Sequence, residues 1–323
     1  MAGRRMTSII DQAKGAAWVL WHGDCVDVSR AIPDNSIHYT IFSPPFQSLY
    51  TFSDDPRDMS NCTNDATFWA HFRFLITELQ RATMPGRLVS IHCMQLPTSK
   101  LRDGFIGLRD FRGDIIRAFQ DAGFVYHSEV CIRKDPVAAM QRTKAIGLLH
   151  KQVVKDSSLS RMAVADYVVT MRKLGENPEP ISGGFDAYYG SDGLPAEDPG
   201  DEVGHVASSY SVKVWQRYAE PVWLDIVQSD VLSRQAARAE EDERHISPLQ
   251  LTVIRRCIQL WSNRGDVVFS PFAGIGSELY VALELGRRAC GAELKASYFK
   301  QAVENLHFIE HEKGAADLFA SAA

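Results

Sequence analysis

Two stretches of this chain, one near each end, alternate short apolar runs with amphipathic helical ones, and this alternation restricts the fold more than any other feature. In the first, Trp18 to Trp21, Ile37 to Phe42, Leu88 to Cys93 and Phe124 to Ile132 read as strands. Asp65 to Met84 and Asp110 to Ala122 read as helices, one capped by Asn64 and ended by Pro85-Gly86, the other closed by Gly123. In the second, Ser247 reads as the cap of a helix with Pro248 at its first position, running to about Asn263. Strand Val267 to Phe269, helix Gly276 to Leu285, strand Arg288 to Leu294 and helix Ala296 to His311 follow. Strands joined by helical crossovers run parallel, so an α/β fold with a doubly wound, mostly parallel sheet is expected.

Between Lys134 and Trp223 the alternation fails. Asp166 to Met171 gives one further strand, after which Gly175 to Gly204 is dense in Gly, Pro, Ser and Asp. No core is expected from that stretch, which reads as a long loop or a small recognition insert. Residues 133–173 carry nine Lys and Arg against three acids, and residues 174–205 carry eight acids and no Lys or Arg. A basic stripe beside an acidic segment can steer a polyanion onto one face, and two solvated surfaces of opposite sign would carry the same pattern. The expected division is 1–135, 136–220 and 221–312, with 313–323 a flexible tail.

The net charge of −5 excludes a protein that coats nucleic acid indiscriminately. No apolar run approaches the length of a membrane span and the first residues lack a signal-peptide core, so a cytoplasmic location without membrane contact is expected. The six cysteines form no C-x-x-C pair. Reduced thiols, with neither a metal site nor disulfides, are therefore expected.

Two segments can carry chemistry. Ser43-Pro44-Pro45-Phe46 follows the run Ile37 to Phe42, and its prolines fix φ and remove two amide donors. A hydroxyl, a free carbonyl and a ring are thereby held at a strand's carboxyl end, where open α/β sheets bind ligands. The second segment, Phe269-Ser270-Pro271-Phe272-Ala273-Gly274-Ile275-Gly276, passes from a strand through a glycine turn into a helix, and Glu293 ends the next strand. An acid so placed can accept from ribose hydroxyls. A dinucleotide fingerprint needs a third glycine where Leu279 stands, so an adenosyl ligand without phosphates fits better than NAD.

Taken together, these two segments resemble the catalytic and S-adenosylmethionine motifs of DNA amino-methyltransferases. With the catalytic motif first, a variable basic region in the middle and the cofactor motif last, the chain is similar to the β group, a circularly permuted arrangement also common in phage genomes. The resemblance extends to His22-Gly23-Asp24-Cys25, to Leu285-Gly286-Arg287-Arg288 and to Tyr298, and covers roughly residues 18–135 and 221–311. It implies S-adenosylmethionine as cofactor, held by Asp24, Cys25, Ser43, His245, Ser247, Ser270, Pro271, Phe272, Ala273, Gly274, Gly276, Glu293 and Leu294. For Asp24 a contact to the cofactor's adenine competes with a turn-stabilising role. The chain departs from the family at Ser270, where an acid is usual, and at His245-Ile246-Ser247-Pro248, whose proline is displaced.

The resemblance makes Ser43, Pro44, Pro45 and Phe46 catalytic. An exocyclic base amine is a poor nucleophile because its lone pair is delocalised into the ring. Ser43 and the Pro44 carbonyl can accept its two hydrogens and aim the lone pair at the methyl group. Phe46 would stack on a base flipped out of the duplex. DNA is the expected partner, with Lys134, Arg142, Lys144, Lys151, Lys155 and Arg161 as phosphate contacts. A homodimer is expected, and a cognate restriction endonuclease is not required. Serine at the first motif position points to cytosine-N4, with adenine-N6 as the alternative. An RNA or protein-amide methyltransferase and a DNA-binding regulator without turnover are the remaining readings.

Overall fold

A computed structural model describes residues 9–45, 58–62, 65–143, 146–200, 203–232 and 248–320. Its strands are β1 (Asp11–Lys14), β2 (Trp18–His22), β3 (Ile37–Phe42), β4 (Thr83–Met94), β5 (Leu96–Pro97), β6 (Leu108–Arg109), β7 (Phe124–Ile132), β8 (Asp166–Lys173), β9 (Val222–Trp223), β10 (Val267–Ser270) and β11 (Arg288–Glu293). Its α-helices are α1 (Cys25–Ala31), α2 (Asp65–Ala82), α3 (Lys100–Asp103), α4 (Phe111–Asp121), α5 (Pro136–Thr143), α6 (His150–Lys155), α7 (Ser209–Tyr218), α8 (Leu251–Trp261), α9 (Ser277–Glu284) and α10 (Ala296–Ala320).

Nine strands form one sheet in the order β1-β2-β11-β10-β3-β4-β8-β7-β9, and β5 pairs with β6 apart from it. From β2 to β4 all neighbours run parallel. β8 is antiparallel to both β4 and β7. The C-terminal strands β10 and β11 thus lie between the N-terminal strands β2 and β3, so the two alternating stretches of sequence build a single sheet.

The side-chain period of two divides the core between the sheet's faces. On one face Leu20, Tyr39, Ile41 and Val268 pack with Val253, Ile254, Ile258, Leu279, Phe299 and Leu306 of α8, α9 and α10. On the other, Phe42, Val89, Ile91 and Phe269 pack with Val28 of α1, Phe68, Phe72 and Leu75 of α2, and Ile115 and Phe119 of α4. A strand buried on both faces reads as a mostly apolar run, which is why β3 occupies the residues its sequence marks; β7 also keeps the expected bounds, although Val125 to His127 are exposed.

Several expectations need correction. α8 begins at Leu251, with Gln250 at its cap position, rather than at Ser247-Pro248. Its first turn is satisfied from a distance: the Leu251 and Thr252 amides donate to the Asp230 carbonyl and carboxylate, each at 2.8 Å. Pro85-Gly86 does not separate α2 from a strand that starts at Leu88. β4 begins directly at Thr83, which pairs with Ile37, and the register shift that follows accommodates the interruption.

The segment rich in Gly and Pro does contribute a core. Tyr188 packs with Tyr210, Val214 and Tyr218 of α7, supported by Phe185 and Leu194. Polar groups hold its backbone: the Tyr189 amide donates to the Tyr218 hydroxyl at 2.8 Å, and the Ala187 and Tyr189 carbonyls accept from Gln259 and Arg256 of α8 at 3.1 and 2.7 Å. Aromatic rings supplied the buried area that its composition hid. Within the segment expected as a flexible tail, α10 continues through Ala320 across an alanine-rich run.

Candidate active site

Because β2, β11, β10 and β3 are parallel, their carboxyl ends open on one edge of the sheet, and each carries one of the motifs. Backbone hydrogen bonds tie these ends together. The Gly23 amide donates to the Glu293 carbonyl and the Ala273 amide to the Ala292 carbonyl, each at 2.9 Å. His22 Nε2 lies 2.9 Å from the Leu294 carbonyl, and its ring stacks on Phe299.

In the glycine turn after β10, Gly274 and Gly276 have φ of 54° and 88°. Both values lie in the left-handed region that glycine adopts without strain. Gly276 also allows close approach to α10, since a Cβ there would sit 3.2 Å from that of Ala302. The Gly274 amide donates to Glu293 Oε2 and the Lys295 amide to Oε1, each at 2.8 Å. Glu293 is recessed rather than sealed, yet burial pushes its carboxyl up to about 7 against these two amide donors. Ser270 is fully buried, and its hydroxyl has no partner among the described residues. A recessed carboxylate tied to a glycine turn at the carboxyl ends of β10 and β11 fits the hydroxyl-bearing adenosyl group of S-adenosylmethionine. When bound, that cofactor supplies an electrophilic methyl; Glu293 would accept from its ribose hydroxyls.

Asp24 caps α1, its Oδ1 accepting from the Val26 and Asp27 amides at 3.0 and 3.1 Å. The turn-stabilising role is therefore present. Cys25 is buried, and burial raises its thiol far above the usual range, so it serves packing rather than reactivity. Pro271 and Ala273 are buried, and the Phe272 ring lies 5.7 Å from that of Phe42, the residue before Ser43. The turn after β10 and the loop after β3 thus share a wall. His245, Ser247 and Phe46 lie outside the described residues, as does most of Gln47 to Thr63.

Beyond β3, Ser43 Oγ is 2.9 Å from His92 Nδ1, and His92 Nε2 is 3.1 Å from Asp166 Oδ2. The second contact is an ion-pair approach too oblique for a hydrogen bond. Lys134 Nζ lies 2.5 Å from the same carboxylate oxygen and donates to Gln228 Oε1 at 3.1 Å. Burial alone would raise the Asp166 carboxyl, but the charges and contacts of His92 and Lys134 hold it below its ordinary value. Sequence reasoning passed over His92 and Asp166 because both sit inside strand-forming runs. The available signal was a polar side chain at a position flanked by buried Ile91 and Cys93.

Of the expected phosphate contacts, Lys134 turns inward to Asp166. Lys151 and Lys155 are exposed on α6, whereas Arg161 is half-buried, with Nη1 donating to the Met162 carbonyl at 3.3 Å. Lys144 and the Arg142 side chain lie outside the described residues.

A family profile described as DNA methylase, covering N6 and N4 enzymes, matches residues 37–304. The chain belongs to the DNA methylase family. Members of this family are S-adenosylmethionine-dependent DNA methyltransferases. Among curated relatives, the DNA adenine methyltransferase YhdJ of Escherichia coli K12 is 33% identical over 72 residues, 22% of this chain and 24% of the relative. The type II methyltransferase M1.MboII of Moraxella bovis is 40% identical over 58 residues, 18% of this chain and 22% of the relative. The chain thus aligns with about a quarter of the length of these relatives.

Solved structures show the fold. PvuII DNA methyltransferase, which is cytosine-N4-specific, has a TM-score of 0.62 at 13% identity, covering 93% of this chain and 94% of its own. TTHA0409 of Thermus thermophilus, complexed with S-adenosyl-L-methionine, has a TM-score of 0.59 at 20% identity, covering 89% and 92%. No helix among the described residues is long and apolar enough to cross a membrane.

Proposed function

We propose that this chain transfers a methyl group from S-adenosylmethionine to an exocyclic amine of a DNA base, with cytosine-N4 as the favoured target. The observation that carries the reading is the placement of Ser43 and of the Gly274-Glu293 contact at the carboxyl ends of β3, β10 and β11. Ser43 and the Pro44 carbonyl accept the two amine hydrogens, localising the nitrogen lone pair in line with the transferable methyl. No covalent intermediate on the protein is required. The base reaches this position by leaving the duplex, and Phe46 stacks on it.

Adenine-N6 is the second reading, and the stretch shared with a DNA adenine methyltransferase favours it. Either amine offers the same two hydrogens, so the motif chemistry serves both. Residues 136–220 would face the DNA, with Lys151 and Lys155 as exposed candidates for phosphate contacts. The interleaving of C-terminal strands between N-terminal ones supports a permuted order of motifs.

Calorimetry with S-adenosylmethionine, followed by transfer of a labelled methyl to DNA and RNA side by side, tests the reading. Binding with transfer to DNA is expected. Binding with transfer only to RNA would contradict the substrate, and absence of binding would favour a regulator without turnover.

A further inference from the structure

Sheet geometry brings three ionisable side chains to one face behind Ser43. His92 of β4 is paired in register with Val168, so Asp166, two residues earlier on β8, projects from the same face. Asp166 is paired with Ile132 of β7, and Lys134 follows two residues later on that face. Ser43 faces His92 from the end of β3, and Asp166 faces it from β8, with Lys134 behind the carboxylate. Asp166 is 2% exposed and His92 8%. A carboxylate this deeply buried is costly unless it serves its neighbours, and surface charge pairing does not require it.

We propose that His92 is the proton acceptor for Ser43 during methyl transfer, its ring positioned by Asp166 and that carboxylate held by Lys134. The inference rests on the amine-methylation reading above. As the nitrogen lone pair forms the N–C bond, the C–S bond breaks and its electron pair stays on sulfur. The nitrogen then carries one proton too many. That proton passes to Ser43 Oγ while the hydroxyl's own proton passes to His92 Nδ1. The positive charge that began on the sulfonium ends on the imidazolium, beside Asp166, and returns to water after product leaves. Nδ1 must therefore begin without a proton, so Nε2 carries it toward Asp166. An anionic neighbour on one nitrogen fixes the tautomer that leaves the other free to accept.

His92 acts through Ser43, so the test needs readouts that a purely structural role would leave alone. In the free protein, imidazole nitrogen shifts measured by NMR should show the Nε2-H tautomer, and Asp166→Asn should raise the share of the Nδ1-H tautomer. An Nδ1-H tautomer, with the ring donating to Ser43, would overturn the proposal. In single-turnover transfer to DNA, His92→Asn should slow the step on the order of 100-fold while leaving cofactor affinity unchanged. The wild-type rate should fall as pH is lowered, and the variant's should not. A variant with wild-type rate and pH profile would overturn the relay alone. A wild type that binds cofactor and transfers methyl to no nucleic acid would overturn the amine-methylation reading and the relay with it. Should His92→Asn not fold, the Asp166→Asn rate profile and the wild-type tautomer decide between the same outcomes.

Discussion

Ser43 combines two constraints that one residue rarely meets: its backbone enters a double proline, and its hydroxyl is held at 2.9 Å by His92. Ser43→Ala should lower turnover by roughly two orders of magnitude, the loss typical of one transition-state contact, with little change in cofactor affinity. Single-turnover kinetics beside calorimetry check this. Glu293 has a complementary pH signature. Its carboxyl stands at about 7 against an ordinary 4.5, so its ionisation costs folded stability, a cost absent below about 4.5 and complete above about 7. Ribose hydroxyls, however, donate best to the ionised form. Cofactor affinity should therefore rise between pH 6 and pH 8, and Glu293→Gln should flatten that rise and weaken binding at pH 8 by roughly tenfold or more.

Helices α8 and α9 show how elements depend on groups remote in sequence. α8 has no side-chain cap of its own, and Asp230 supplies one from a preceding loop. Asp230→Ala should destabilise the protein by about 1 kcal/mol in urea unfolding. In the first turn of α9, Glu278 is buried and burial pushes its carboxyl up to about 8 from 4.5. The stability this group permits is full below about 4.5 and lost as pH rises through about 8. Glu278→Gln should accordingly narrow the drop in melting temperature between pH 6 and pH 9, as differential scanning calorimetry would show.

Such remote dependence also marks what the sequence could reveal. β3 was legible to the residue because a strand buried along nearly its whole length is written as a mostly apolar run, and β7, exposed at Val125 to His127, because Gly123 precedes a run rich in aromatic and β-branched residues. The start of α8 was not, since a local Ser-Pro cap signal competed with Asp230, which no window around the helix contains. The aromatic core over Tyr188 was hidden for a similar reason: three of its four principal residues belong to α7. Ser43, Gly274, Gly276 and Glu293 announced themselves through turn chemistry. His92 and Asp166 did not, because their meaning lies in a cross-strand register that only the folded sheet supplies.

At the scale of the whole molecule, one sheet holds both motif halves, with β10 and β11 seated between β2 and β3. With an overall charge of −5, attraction to DNA would fall to local groups, and the exposed lysines of α6 are the proposed ones. Replacing Lys151 and Lys155 by glutamine should weaken binding without changing the modified base. Each true phosphate contact removed should reduce the slope of log affinity against log salt by about 1. Mass spectrometry of nucleosides, from unmodified DNA incubated with the purified protein and S-adenosylmethionine, tests the central claim most directly. N4-methylcytosine is expected, formed roughly 100-fold more slowly with Ser43→Ala; N6-methyladenine alone would contradict the cytosine assignment, and no methylated nucleoside on varied DNA would contradict the reaction.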